Sequence, residues 1–348
     1  MKKTLFFFLI FIIFFEITSV IFTKLELFLF NDTPKYSFEK TSVNDWLVKD
    51  DKGNPSHKKN YKTTHVSRCF DVEYIFNNVG ARDNNDYFIN DSEKSIMLIG
   101  DSFAEGFGVD TEKTFAKIIE NKINKKVLNF GVSGTNTEQQ TSSYINLGSK
   151  LNFDELIYFF LPHNDYSKET QELENPQNDK KNVSFSIFNL DTIKYKLFFY
   201  KFNVLDILAR FTYSYNFIRS AAHLLDLNSN NNFKNLSYFY NNKENITYTF
   251  NFLENLINYK NVKSYIFIIP TIYDINNFQK NKINYKNLYW YKEINKIAKK
   301  NNSTLIDLMD FIDFNEKHVY FHSCDGHWNE YGNKFVADIF LEKYSSNY

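Results

Sequence analysis

From Ser95 onward the chain alternates short apolar runs with amphipathic stretches, and this alternation constrains the fold more than any other feature of the sequence. Five runs have the length and composition of buried strands: residues 95–99, 127–130, 155–161, 265–269 and 304–308. Segments with helical spacing of apolar residues lie between or after them, at 111–124, 136–147, 285–300 and 329–341. Strands that alternate with helices predict an α/β fold with a parallel sheet covered on both faces.

A long connection and a polar N-terminal region complete the predicted organisation. Roughly a hundred residues separate the third and fourth strands, far more than a connection in a compact domain needs. We therefore expect residues 166–245 to form a largely helical insertion that caps the sheet. Residues 31–94 are expected to form an irregular polar stalk and a lead-in to a domain over 95–348. The chain breakers of that polar region are Pro34, Gly53 and Pro55.

Residues 1–30 have the pattern of a membrane anchor or signal segment. Lys2 and Lys3 precede an apolar run over residues 5–22, which is close to the shortest length that spans a bilayer. Basic residues on the N-terminal side predict that the rest of the chain lies outside the cytoplasm, in the periplasm or at the cell surface. No clear small-residue cleavage site is present after the run, which favours an uncleaved anchor; cleavage would make the protein secreted.

Composition and charge exclude several classes of protein. Lys+Arg and Asp+Glu number 41 each, so there is no basic excess for nucleic-acid binding through phosphate neutralisation. Two cysteines exclude a disulfide framework and a four-cysteine zinc module. Cys69 and Cys324 either pair in an oxidising compartment or are unrelated thiols, and the sequence leaves both open. Neither a phosphate-binding glycine motif nor a metal-ligand cluster is present, so we expect no cofactor and no metal.

The first residues with chemical potential stand directly after the first predicted strand. Gly100, Asp101 and Ser102 occupy these positions, and a glycine-containing turn over residues 106–108 leads into the next helix. A serine at the carboxyl edge of a parallel strand lies in the crevice where α/β proteins bind ligands. Backbone N–H groups of such a turn can stabilise an oxyanion. The same Asp-Ser pair also suits an Asx turn or a helix cap, so alone it decides little.

A second pair of residues lies before the last predicted helix. Asp325 and His327 are two apart, so in an extended segment they project on the same side and the carboxylate can orient the imidazole. A neutral histidine held in this way can accept the Ser102 proton as the serine attacks an acyl carbonyl. An Asp-His pair can also be a plain surface hydrogen bond, but this one comes after the fifth strand, where it is expected to face Ser102.

The loops after the second and third strands supply candidates for oxyanion binding. The glycine-containing turn at residues 131–134 lets a backbone N–H approach a substrate oxygen closely. Asn164, beside Asp165, offers a side-chain N–H₂ donor. Gly and Asn are each common in loops, but their positions after successive strands make the set specific. Trp328, beside His327, either lines a sugar site or packs against the last helix.

Together these residues resemble the SGNH/GDSL hydrolase family, in which a Ser, a Gly, an Asn and a His each stand in their own sequence block. The matching blocks here are residues 99–103 (IGDSF), 129–134 (NFGVSG), 164–165 (ND) and 325–327 (DGH). The resemblance implies a flavodoxin-like three-layer α/β/α fold and an acyl-enzyme mechanism without a metal. The implied roles are Ser102 as nucleophile, His327 and Asp325 as base and orienting acid, and Ser102, Gly134 and Asn164 as the oxyanion hole.

Two departures from the family pattern are informative. Pro162 stands where the third block usually has glycine, and the Asp and His of the last block are two apart instead of three. The shorter last block, with Trp328 next to it, is similar to the branch of the family related to exopolysaccharide O-acetylation. The segment at residues 78–83 (NVGARD) is similar to the one that precedes the Ser block in exported members.

Three functions are compatible with these residues. The first is a membrane-anchored esterase that hydrolyses O-acyl groups, in the first instance O-acetyl groups, on an extracytoplasmic glycan or another small ester. The second is an O-acetyltransferase that passes the acyl group from Ser102 to a polysaccharide hydroxyl. The third is an inactive relative that binds glycan or scaffolds an assembly; the presence of all four signature residues argues against it.

Overall fold

The computed structural model describes residues 2–25, 41, 43–67, 69–88, 93–148, 150–166, 204–218, 237–240, 242–282, 284–322 and 325–345. The strands of this described part are β1 (Leu47–Lys49), β2 (Pro55–His57), β3 (Tyr61–Val66), β4 (Asp71–Phe76), β5 (Ser95–Gly100), β6 (Val127–Gly131), β7 (Phe153–Phe160), β8 (Lys263–Ile268) and β9 (Thr304–Asp307). The helices are α1 (Lys2–Lys24), α2 (Ser102–Glu105), α3 (Phe115–Ile123), α4 (Thr137–Gly148), α5 (Val204–Phe211), α6 (Lys243–Asn258), α7 (Ile272–Asn281), α8 (Tyr289–Lys300) and α9 (Glu330–Ser345).

The core of the molecule is a five-stranded sheet in the order β6-β5-β7-β8-β9, with every neighbouring pair parallel. This is the flavodoxin-like order, which confirms the predicted fold class. Helices α3 and α9 pack together, and helices α4, α6 and α8 form a second group. Because helices cover both faces, the strands are largely apolar and buried; in β7 the five residues from Leu156 to Phe160 are fully buried.

Local sequence signals account for several helix ends. The Thr114 hydroxyl caps α3 by accepting from the Lys117 N–H, and Asn124 ends that helix in the left-handed conformation. Helix α7 begins with a reciprocal capping box between Thr271 and Asp274. The sequence pattern did not predict α6 or α7, which flank β8. Most of the predicted insertion lies outside the described residues; its described part includes α5 and the beginning of α6.

The N-terminal region differs from the expected irregular stalk. Strands β1 and β2 form one antiparallel hairpin and β3 and β4 another. Gly53 has a positive φ of 85° in the turn between β1 and β2, and Pro55 opens β2, so these breakers mark a hairpin. Trp46 is fully buried in an aromatic cluster with residues of β4. The domain limits at residues 30 and 94 stay predictions.

Helix α1 confirms that residues 1–30 contain one helix long and apolar enough to cross a membrane or to serve as a signal sequence. Its span from Lys3 to Lys24 has a mean hydropathy of 2.7 and is 6% buried. Cys69, at the tip of the β3–β4 hairpin, is disulfide-bonded. The sequence contains one other cysteine, Cys324, which lies outside the described residues.

Candidate active site

Ser102 is the first residue of α2, directly after the carboxyl end of β5. The side chain of Asp101 caps this helix by accepting from the Phe103 N–H at 3.0 Å. Gly106 ends the helix in the left-handed conformation, with φ of 80°. The strand and the two caps therefore fix Ser102 at the sheet edge where open α/β folds bind ligands. The N–H of a first helical residue has no partner inside its own helix and is free to face a ligand.

The structure brings Ser102 and His327 together, although 225 positions separate them in the chain. The Nε2 atom of His327 lies 2.7 Å from the Ser102 Oγ. The Nδ1 atom of the same ring is hydrogen-bonded to Asp325 Oδ1, which also accepts from the His327 backbone N–H at 3.0 Å. With Nδ1 engaged by the carboxylate, Nε2 is the ring nitrogen that can accept the serine proton.

The electrostatics of Asp325 suit this arrangement. Burial alone would raise the pKa of its carboxyl group. The hydrogen bonds and the electrostatic interaction with His327 outweigh burial and lower the pKa of Asp325 below its ordinary value. Asp325 is therefore ionised at neutral pH, the state in which a carboxylate can stabilise an imidazolium.

Aromatic side chains hold the imidazole of His327 in place. The rings of Phe107 and Phe103 have centroids 4.3 Å and 5.0 Å from it. Trp328 is 3% exposed and packs edge-on against Phe103, so it belongs to the core and does not line a sugar site. Two further histidines, His65 and His322, lie in the same aromatic cluster, where burial lowers the pKa of each to about 4. Both are neutral at pH 7, so they add no charge beside His327.

Gly134 lies in the loop after β6, the strand next to β5. Its φ is 75°, a conformation that favours glycine, and open space surrounds the position that a Cβ would occupy. The Val132 N–H donates to the Gly100 carbonyl at 3.1 Å, which joins this loop to the end of β5. Gly131 permits the close approach of the two segments, because a Cβ there would lie 2.1 Å from the Glu105 nitrogen. Gly134 is thus presented on an open, anchored loop.

Asn164 lies in the turn after β7 and is tied to the residue before the nucleophile. Its Nδ2 donates to Asp101 Oδ2 at 2.9 Å, which leaves the second amide hydrogen for another acceptor. Asp101 and Asp165 are both fully buried, and burial raises the pKa of each carboxyl group. The turn that contains Pro162 is closed by the Asn164 N–H, which donates to the Leu161 carbonyl at 3.1 Å.

A buried charged group behind the site was missed by sequence reasoning. Glu105 Oε2 accepts from the Ser133 N–H at 2.6 Å and from its hydroxyl at 2.5 Å, and His57 Nε2 lies 3.3 Å away. The Arg82 guanidinium donates to the carbonyls of Glu105, Gly106 and Val109. Burial alone would raise the pKa of Glu105, but His57, Arg82 and Ser133 lower it to about 2.

A signal for one member of this group was present in the sequence. Arg82 lies within the segment at residues 78–83, which is similar to a segment of exported members of the SGNH/GDSL family. His57 and Glu105 had no such signal, because neither stands in a motif. Their partners come from distant parts of the chain, so their burial was visible only in the structure.

Comparison with known proteins finds no family model and no curated protein that matches the chain. Solved structures do match. A member of the lipolytic protein G-D-S-L family from Veillonella parvula is 14% identical, with a TM-score of 0.41, over 72% of this chain and 97% of that one. A lipase/acylhydrolase from Enterococcus faecalis is 14% identical, with a TM-score of 0.39, over 73% and 96%.

An acetyl xylan esterase is also similar, at 15% identity and a TM-score of 0.35, over 72% of this chain and 98% of that one. All of these likenesses are distant in sequence. In fold, the chain resembles lipolytic proteins of the G-D-S-L family.

Proposed function

We propose that the protein is a serine esterase of the SGNH/GDSL type that cleaves O-acyl esters through an acyl-enzyme on Ser102. The observation that carries this proposal is the continuous contact from the Ser102 Oγ to His327 Nε2, at 2.7 Å, and from His327 Nδ1 to Asp325. A nucleophile, a base and an orienting carboxylate in this geometry perform acyl transfer on several unrelated folds.

The positions of these groups define the reaction. The Ser102 Oγ attacks the ester carbonyl while His327 Nε2 accepts its proton, and the charge on the carbonyl oxygen is met by the N–H groups of Ser102 and Gly134 and the amide of Asn164. Collapse of the tetrahedral intermediate breaks the ester bond, and His327 returns the proton to the leaving alcohol. Water then attacks the acyl-serine with His327 again as base, which releases the carboxylic acid and regenerates Ser102.

The substrate that we propose is an O-acetyl group on an extracytoplasmic glycan. Two observations support a location outside the cytoplasm. Lys2 and Lys3 flank the N-terminal side of α1, which predicts export of the chain beyond this helix. Cys69 is disulfide-bonded, as is common in oxidising compartments. The short Asp325-x-His327 block, similar to that of exopolysaccharide O-acetylation proteins, supports a glycan ester.

The test uses the full chain in detergent with p-nitrophenyl acetate, and compares Ser102→Ala and His327→Ala with the parent. Each substitution is expected to lower kcat by about 10³-fold or more, because it removes the nucleophile or its base. Ser143→Ala, on α4, and His318→Ala, at an exposed position, are the matched controls and should keep the parent rate. A parent that is as slow as Ser102→Ala, and that a fluorophosphonate does not label, would contradict the proposal and favour a glycan-binding or scaffold role.

The acceptor is tested separately. With an O-acetylated polysaccharide as substrate, an esterase releases acetate in proportion to the enzyme added, and Ser102→Ala releases none. Acetylated sugar formed from p-nitrophenyl acetate and a free sugar acceptor, at the expense of acetate, would instead identify an O-acetyltransferase.

A further inference from the structure

Helix α1 is exposed over its first half, and one face of its second half is buried against other residues of the chain. Residues 3–14 are exposed on all sides. In the second half, Phe15, Ser19 and Phe22 are partly or fully covered, and so is Glu16. These positions recur every three or four residues, which places them on one face of the helix. The covered face belongs to the half of α1 that is nearer to the rest of the chain.

The cover comes from residues 213–217, part of the insertion after β7. The backbone N–H groups of Tyr213 and Ser214 donate to the two carboxylate oxygens of Glu16, at 2.6 and 2.9 Å. The ring of Phe217 lies with its centroid 6.2 Å from that of Phe15 and 6.1 Å from that of Phe22. A polar contact is therefore flanked by aromatic contacts along the same face of the helix.

These contacts matter because a carboxylate is costly in the interior of a membrane. The hydroxyls of Thr18, Ser19 and Thr23 are satisfied within α1, since each donates at 2.8 Å to the carbonyl four residues earlier. The two oxygens of Glu16 are satisfied from outside the helix, by the N–H groups of residues 213 and 214. The partner of Glu16 is thus supplied by the insertion.

We propose that residues 204–218 are a second membrane-contacting element, held against α1 by Glu16 and bathed by lipid acyl chains. The proposal rests on the membrane anchoring that the sequence predicts for α1. Glu16 lies about 12 Å along the helix axis from Lys24. When α1 crosses a hydrocarbon core of about 30 Å, Glu16 lies within that core. The N–H groups of residues 213 and 214, which donate to Glu16, then lie within the core as well.

The exposed side chains of this element have the matching chemistry. Leu208 is 36% exposed and Ile218 is 54% exposed. On α1, Ile17 and Ile21 are 54% and 50% exposed. The two contacting segments therefore both present exposed apolar side chains, and lipid acyl chains are a partner that suits such side chains.

The test places single tryptophans in the full chain, reconstituted in phosphatidylcholine vesicles whose acyl chains carry bromine, a contact quencher of indole fluorescence. Phe217→Trp reports on the element, Phe15→Trp on the anchor, and Phe88→Trp, at a 61% exposed position of the remaining chain, is the control. The three native tryptophans are buried and give a constant background. Quenching at position 217 is expected to be within about twofold of that at position 15, with none at position 88.

The outcomes separate the two proposals. Quenching at position 15 with position 217 as unquenched as position 88 would leave the anchor in place and overturn the membrane contact of residues 204–218. No quenching at position 15 would overturn both. Adding Glu16→Leu to Phe217→Trp should at least halve the quenching at 217, whereas Glu16→Gln, which keeps an acceptor oxygen, should lower it less. Unchanged quenching with Glu16→Leu would overturn the role of Glu16.

Discussion

Glu105 links the helix that carries Ser102 to the loop that carries Gly134. Its carboxylate accepts both the N–H and the hydroxyl of Ser133, the residue directly before Gly134. Its pKa of about 2 lies below the ordinary value of 4.5, so the group stays ionised throughout the neutral range. A carboxylate in this position holds the loop of the proposed oxyanion hole, so we predict that Glu105 is a positioning residue for the proposed reaction.

Glu105→Ala is expected to lower kcat for p-nitrophenyl acetate about 10- to 100-fold while KM changes little, because a loosened Gly134 loop weakens only the stabilisation of the oxyanion. Glu105→Gln should recover most of the rate, since its amide oxygen still accepts from Ser133. Circular dichroism and fluorophosphonate labelling of each variant show whether the fold and Ser102 are intact. An Ala variant with the parent kcat, or a Gln variant as slow as the Ala variant, would contradict the positioning role.

Some residues of the proposed site could be predicted from the sequence, and others could not because their roles depend on tertiary contacts. Ser102 and Asn164 could be predicted because each follows the carboxyl end of a strand in a parallel sheet, and all strand ends of that kind meet at one edge. His327 stands well after the end of β9, and it could be predicted because it forms an Asp-x-His block just before the last helix. Glu105 and Arg82 could not be assigned roles. An isolated Glu or Arg is ordinarily a solvated surface residue, and its burial beside Ser133 or Tyr74 depends on segments far away in the chain.

At the scale of single elements, the carboxyl end of β9 contains a buried acid outside the proposed site. Asp307 is 4% exposed and accepts from the hydroxyls of Tyr238, at 3.1 Å, and Tyr285, at 2.7 Å. Burial raises its pKa from 3.8 to about 6, although the Tyr285 hydrogen bond acts in the opposite direction. A carboxyl group whose pKa is higher in the folded chain favours folding at low pH, and this contribution is lost as the pH rises from about 4 to about 6.

Asp307→Asn should therefore become more stable relative to the parent as the pH rises. The difference between the two pKa values corresponds to about 2–3 kcal/mol in the free energy of unfolding, gained by the variant between pH 4 and pH 7.5. Urea unfolding at both pH values measures this difference in free energy. It is followed by the fluorescence of Trp290, whose ring lies 5.4 Å from that of Tyr238. Asp313→Asn, at an exposed position, is the control and should show no such gain. A stability difference that does not change with pH would contradict the raised pKa.

The elements themselves were predictable to different extents. Each strand of the central sheet contains a short, largely apolar run, so the positions and order of appearance of the strands could be inferred from the sequence. Strands β1 to β4 pack as two separate hairpins, and only β4 alternates clearly between exposed and buried residues. Their polar composition gives no apolar run, which explains why a stalk was expected where the structure has hairpins.

At the scale of the whole molecule, the hairpins and the segment that follows them support the turn after Ser102. Arg82 clamps three carbonyls of the turn after Ser102, and the Tyr74 hydroxyl accepts from the Gly108 N–H at 2.8 Å. The Arg82 guanidinium lies 3.6 Å above the Tyr74 ring, which buries its charge between the hairpin and that turn. The ring of Phe70 packs at 4.9 Å from that of His322, in the loop that precedes His327. Both halves of the proposed site therefore rest on residues before position 93.

Two truncations of the chain test this dependence, both assayed in detergent with p-nitrophenyl acetate. A chain that begins at residue 41 keeps His57, Tyr74 and Arg82, and we expect its kcat to stay within about threefold of the parent. A chain that begins at residue 93 retains every proposed catalytic residue. It loses the hydrogen bonds that Arg82 donates to the turn after Ser102, and it loses His57, the partner of Glu105. Its kcat should fall about 100-fold or more, because displacing groups from productive geometry is costly even far from the chemistry.

The single substitution Arg82→Ala distinguishes loss of support from general unfolding. In the otherwise complete chain it should lower kcat in the same direction as the longer truncation, while the near-ultraviolet circular dichroism of the buried aromatic core is retained. A chain from residue 93 that is as active as the chain from residue 41 would show that the central sheet positions Ser102 and His327 unaided. The hairpins would then have to be explained by something other than catalysis.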